Sequence, residues 1–98
     1  MSEYNGWANY ETWLVNLWID NDPGTYGRAV EMARESEGDK YALADQIEEW
    51  VEEWAREGVE GLAGDLVGAA LSEVRWAEIA EHWIEDHYEE ADEEEVTA

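Results

Sequence analysis

The side chains able to do chemistry in this 98-residue chain are few in kind: His82, His87, scattered hydroxyls and 27 carboxylates, with no cysteine. His82 and Asp86 stand four apart, which on a helix places them on one face. His87, five residues from His82, falls well off that face, whereas a metal-binding HExxH helix needs its histidines four apart. The pattern predicts His87 at the edge of a core and His82 within an acidic surface. Ser36 and Ser72 fall at predicted helix boundaries with no histidine nearby in sequence, so nucleophilic catalysis has no base to draw on. Gly58, Gly61, Gly64 and Gly68 match neither a phosphate loop nor a dinucleotide fingerprint. Carboxylate pairs are abundant, but acid/base work needs one carboxyl kept protonated in an apolar setting beside another kept ionised. Rows of solvated glutamates do not supply that difference. No catalytic residue, metal ligand or cofactor site is expected, and the chain reads as a non-enzyme.

The charge itself is the next candidate. Five Lys and Arg against 27 Asp and Glu give a formal net charge of −22. Nucleic-acid binding rests on cations that neutralise phosphates, and anionic membranes also need basic segments. Arg28, Arg34, Lys40, Arg56 and Arg75 are too few and too dispersed for either, so direct nucleic-acid and membrane contacts are excluded. A cationic protein surface is the fitting partner. At 45% apolar residues, with 7 Trp, the chain can nevertheless bury surface that an acidic disordered chain lacks. The opening Met-Ser-Glu-Tyr has no basic n-region followed by an apolar run, and the apolar stretch Leu62 to Leu71 is short and carries Asp65. A cytoplasmic location is the default expectation.

The elements that position these groups read as helices throughout. Asn9 is a good N-cap for a helix from about Tyr10 to Asn21, and Asp22-Pro23 both ends it and starts the next. Tyr10, Trp13, Leu14, Leu17 and Trp18 recur at helical spacing and are expected to face the core. The second helix carries Tyr26, Ala29, Val30 and Ala33 inward and stops at Glu37-Gly38. Asp39 caps a third, Lys40 to Glu57, with Leu43 or Ala44, Ile47, Trp50, Val51 and Trp54 inward and Gly58 past its end. Val59 to Leu71 is expected to form a short buried helix, or a loop with one helical turn. Ser72 is expected to cap a last helix over about Glu73 to Glu90, with Trp76, Ala80, Trp83, Ile84 and His87 or Tyr88 inward. Acids at a helix C-terminus oppose its dipole, so residues 91–98 are predicted to fray. The expectation is an all-α single-domain bundle of four to five helices over residues 1–90, with a Trp-rich core. In that core the stripes would take Trp13, Trp18, Trp50, Trp54, Trp76 and Trp83, leaving Trp7 least constrained. The outer residues of the first helix would be Glu11, Asn16 and Asp20.

The segment Gly6 to Asp22, GWANYETWLVNLWIDND, resembles small proteins of phages and archaeal mobile elements that share an Asn-Tyr-Glu-Thr-Trp start. Ser72 to Asp86, SEVRWAEIAEHWIED, is similar to the helix that closes those chains. The resemblance implies a mobile-element setting rather than a reaction. From Asp39 onward 20 acids face 3 bases, against 7 acids and 2 bases before it. Glu48/Glu52, Glu49/Glu53, Glu81/Glu85 and Glu85/Glu89 are each one turn apart, a repeat of ~5–6 Å that costs helix stability through like-charge repulsion. DNA also presents rows of negative charge, one per ~1.7 Å of duplex axis. The acidic character is thus similar to that of DNA-mimic antirestriction and anti-CRISPR proteins. It points to an inhibitor that occupies the DNA channel of a nuclease or CRISPR effector. The expected contacts are Glu48, Glu49, Glu52, Glu53, Glu81, Glu85, Asp86 and Glu89, on a monomer or homodimer. Two other readings stay open: an acid-rich surface adapted to a salty cytoplasm, and an antitoxin-like adaptor for one basic partner.

Overall fold

Asn9 sets the first helix in the computed structural model, which describes residues 6–88. Its carboxamide oxygen accepts the Thr12 backbone N–H at 2.9 Å, capping α1 (Tyr10–Asn21). Asp22 ends α1 in extended backbone and caps α2 (Pro23–Glu35) through the Gly24 N–H at 2.8 Å. Pro23 occupies the first turn, where its missing N–H costs nothing. Glu37 and Gly38 then take left-handed backbone with φ of 57° and 83°. Asp39 caps α3 (Lys40–Arg56) by accepting from the N–H groups of Tyr41 and Ala42. Gly58, at φ 76°, turns the chain toward α4 (Gly61–Leu71), and α5 (Trp76–His87) completes the fold. The described residues are all-α: five helices and no strand. None of these helices is long and apolar enough to cross a membrane.

The centre is α3 packed on α5, with α2 across both and α1 on α2 and α5. Lys40 Nζ, at the start of α3, lies 3.7 Å from Glu81, and Tyr88 rests against Gly38, so α3 and α5 run antiparallel. Ile19, Ala29, Ala33, Leu43, Ile47, Ile79, Ala80 and Trp83 are sealed from solvent. Trp83 is the one Trp fully inside, while Trp7, Trp50 and Trp76 pack against the edge of this core.

Three expectations are corrected. α1 is turned half a revolution from its apolar stripe: Thr12, Asn16 and Ile19 are buried, whereas Tyr10 is 46% and Trp18 62% exposed. The physical reason is polar. Thr12 Oγ1 accepts the Arg75 backbone N–H at 2.9 Å and donates to Asn9 Oδ1 at 2.6 Å, while the Asn9 amide donates to the Glu73 carbonyl at 2.8 Å. One turn on, buried Asn16 accepts the Trp83 indole N–H at 2.7 Å. These four bonds orient the helix, and α1 and α5 run parallel because Thr12 meets Arg75 and Asn16 meets Trp83. Next, α4 is a helix but not a buried one: only Leu71 is inside, with Leu62 and Leu66 at 75% and 60% exposure. Lastly, α5 starts at Trp76 rather than Glu73, because Ser72 ends α4, its hydroxyl donating to the Ala69 carbonyl at 2.7 Å. The tail expected to fray, and Glu89 and Glu90 before it, lie outside the described residues.

Candidate partner-binding surface

On α3 the buried positions Leu43, Ala44, Ile47 and Val51 dictate where the acids point. Asp45, Glu49 and Glu53 project into solvent, and Glu48 and Glu52 stand half-buried on the flank. Among the described residues, none of Glu48, Glu49, Glu52 and Glu53 joins an ion pair. Glu49 and Glu53 border a depression of about 390 Å³ with Glu35, Arg28, Met32, Gln46 and Trp50. It continues along the helix into a second of about 530 Å³, walled by Trp50, Glu53, Trp54, Arg56 and Glu57. The Trp50 and Trp54 indoles stack there with centroids 5.7 Å apart, and Trp54 is 37% exposed. Neither Trp sits wholly in the core as the sequence pattern predicts: Trp50 packs against its edge and Trp54 lies further out.

The α5 acids form a separate group. Glu81 and Glu85 are exposed and, with Glu78, His82, Gly6 and Trp7, line an open pocket of about 390 Å³. Glu81 is partly neutralised by Lys40, and the Glu78 carboxylate accepts the Ala8 N–H at 3.2 Å. Asp86 lies 3.4 Å from His82 Nε2, whose ring stands edge-on to Trp7 at 5.1 Å and Trp83 at 5.8 Å. His87 is at the core edge, stacked on Trp83 at 5.1 Å. The expected contact residues that are described therefore divide into an α3 group and an α5 group; Glu49 and Glu53 border the cavities along α3, and Glu81 and Glu85 the one beside α5. Among the described residues no three His, Asp or Glu converge as a metal site.

A further surface escaped the sequence pattern. Leu14, Val15, Trp18, Val51, Trp54, Ala55 and Leu71 line an open groove of about 320 Å³. Leu14, Trp18 and Trp54 belong to stripes that periodicity assigns to the core. The one local trace is the capping pair of Asn9 and Thr12, three apart; the burial of Thr12, which brings Asn16 inward one turn later, rests on Arg75 and Trp83 far along the chain.

The chain belongs to the family of unknown function DUF7249, whose sequence model matches residues 1–95. No curated protein and no solved structure matches it.

Proposed function

We propose that this DUF7249 protein is a non-enzymatic acidic inhibitor that lays rows of carboxylates over the DNA-binding surface of a defence nuclease complex, a restriction enzyme or a CRISPR effector. The observation that carries the reading is the outer arc of α3. Asp45, Glu48, Glu49, Glu52 and Glu53 repeat along it on a helix anchored by four buried residues, and the four glutamates stand free of ion pairs. A braced helix holds these charges in a fixed row, so their geometry is set before the partner arrives. The α5 group, Glu81 and Glu85, supplies a second acidic surface. Dense single-sign charge also steers association with a cationic channel and makes it sensitive to salt.

The test is displacement of labelled duplex DNA from a restriction nuclease and from a CRISPR effector, followed across salt concentration. Displacement is expected to weaken as salt screens both competitors. Joint replacement of Glu48, Glu49, Glu52 and Glu53 by Lys is expected to abolish it while helical circular dichroism is retained. Undiminished displacement by that variant removes α3 from the interface. Circular dichroism in low salt separates this reading from adaptation to a salty cytoplasm: an inhibitor stays helical, and a salt-adapted domain unfolds and recovers only in molar salt.

A further inference from the structure

We propose that the groove between α1 and α3 seats an amphipathic cationic helix contributed by the binding partner. α1 packs on α2 and α5, and α3 packs on α2, α4 and α5, but the two do not pack along each other. The slot left between them is walled by Leu14 and Trp18 on one side and Val51, Trp54 and Ala55 on the other, with Leu71 of α4. These spacings make ridges of the kind that mesh with a third helix carrying apolar anchors at i, i+3, i+4 and i+7. Every residue lining the groove is apolar, yet it is open to water, and Trp18 keeps 62% of its surface exposed.

Charge selects the occupant. Glu11 precedes Leu14 and Val15 by one turn of α1, and Asp22 follows Trp18 by one turn. On α3, Glu48 and Glu52 each stand three residues before Val51 and Ala55, on the same flank. Arg56 lies against α4, its guanidinium where a Gly68 Cβ would point, and is not among the residues lining the groove. An incoming helix thus meets apolar walls along its middle and carboxylates beyond them, which suits leucine-like anchors flanked by Lys or Arg. A second copy of this chain brings another net charge of −22 and is repelled at the same rim. The inference rests on the reading that the partner is cationic, and adds that part of its contact is an apolar-faced helix rather than a phosphate-binding channel alone.

The test uses the full chain and three synthetic fifteen-residue peptides of leucine and lysine or glutamate. One carries leucines at i, i+3, i+4 and i+7 among lysines, the next has the same composition with leucines scattered, and the last replaces every lysine of the first by glutamate. In titrations followed by tryptophan emission and isothermal calorimetry, the patterned lysine peptide is expected to bind roughly ten-fold or more tighter than the scattered one. The glutamate peptide is expected not to bind. Trp18→Ser, at an exposed position, and Ala55→Glu, in the groove wall, are each expected to erase the preference and leave the weak, salt-sensitive binding of the scattered peptide. Equal affinity for the two lysine peptides, or a preference that survives both variants, overturns the proposal. A sedimentation mass of twice 11.3 kDa, with patterned and scattered peptides bound alike, assigns the groove to a second copy and also overturns it. Loss of the peptide preference leaves DNA displacement untouched, and failure of displacement leaves the peptide preference untouched, so the two readings fail separately.

Discussion

Replacing Asn16 by Ala is predicted to damage this protein more than replacing Trp18 by Ala, although the second change removes far more apolar surface. Asn16 is 7% exposed, Trp83 is 1% exposed, and the indole N–H of Trp83 donates to Asn16 Oδ1 at 2.7 Å. Truncation at 16 leaves that N–H buried without an acceptor, a desolvation penalty of about 1–3 kcal/mol. Total stability of a domain is typically only about 5–15 kcal/mol, so the loss is a large fraction of it. For a chain of this length it corresponds to a fall in Tm of about 4–8 °C per kcal/mol, hence about 8–16 °C for a mid-range penalty. Trp18, at 62% exposure, should change stability by no more than about 0.5 kcal/mol. Had its stripe faced the core, the same truncation would cost about 3–5 kcal/mol. Urea unfolding of both variants, followed by circular dichroism at 222 nm, decides the order. A Trp18→Ala loss equal to or above that of Asn16→Ala refutes the orientation assigned to α1. A double-mutant cycle with Trp83→Phe adds a check, since the penalty at 16 should shrink once the indole donor is gone.

Thr12→Val keeps the shape of the side chain but removes the acceptor for the Arg75 N–H and the donor to Asn9. It is expected to cost about 1–3 kcal/mol by chemical denaturation, with earlier exchange of the Arg75 amide seen by NMR. Two alanine replacements of glycine should differ in sign. Gly68→Ala meets only the movable end of Arg56, 2.9 Å from the new Cβ, and gains up to about 1 kcal/mol of helix propensity. Gly38→Ala forces an L side chain into φ +83° and toward Tyr88 at 3.3 Å, costing about 1–2 kcal/mol, so thermal melts should move in opposite directions.

The limits of α1, α2 and α3 were legible because their signals are local: Asn9, Asp22-Pro23, Asp39 and Gly58 each act on backbone within a few residues, whereas Ser72, which closes α4, reads equally well as the start of α5. The inward faces of α3 and α5 were legible in large part for a related reason, since acids crowd their outer sides and aliphatics their inner ones. α1 lacks that contrast. Val15 and Ile19 lie opposite its aromatic stripe, and the decision falls to Thr12 and Asn16, whose partners Arg75 and Trp83 are more than sixty residues away in sequence. Exposure of Leu62 and Leu66 was illegible too, because α4 is apolar on most sides and only the packing of Leu71 and its neighbours on α3 sets its outward face. Among the acids, sequence spacing identified the rows but not their separation into an α3 group and an α5 group, which depends on how the two helices pack.

The bonds that tie Asn9, Thr12 and Asn16 to residues 73–83 also bear on how the chain comes off the ribosome. Until Trp83 has cleared the exit tunnel, α1 has its caps and α2 to pack on, but Thr12 and Asn16 lack the N–H groups of Arg75 and Trp83 that they accept in the fold. Domains whose contacts span most of their length close late, because loop entropy is lost before those contacts form. Synthesis at about 5–20 residues per second leaves the first helix waiting several seconds for its mate. Its inward face is then not yet covered by α5, in a nascent chain whose negative charge keeps neighbouring copies apart. On this view the acidity of the chain acts before folding is complete, as an electrostatic chaperone that holds unfinished copies apart.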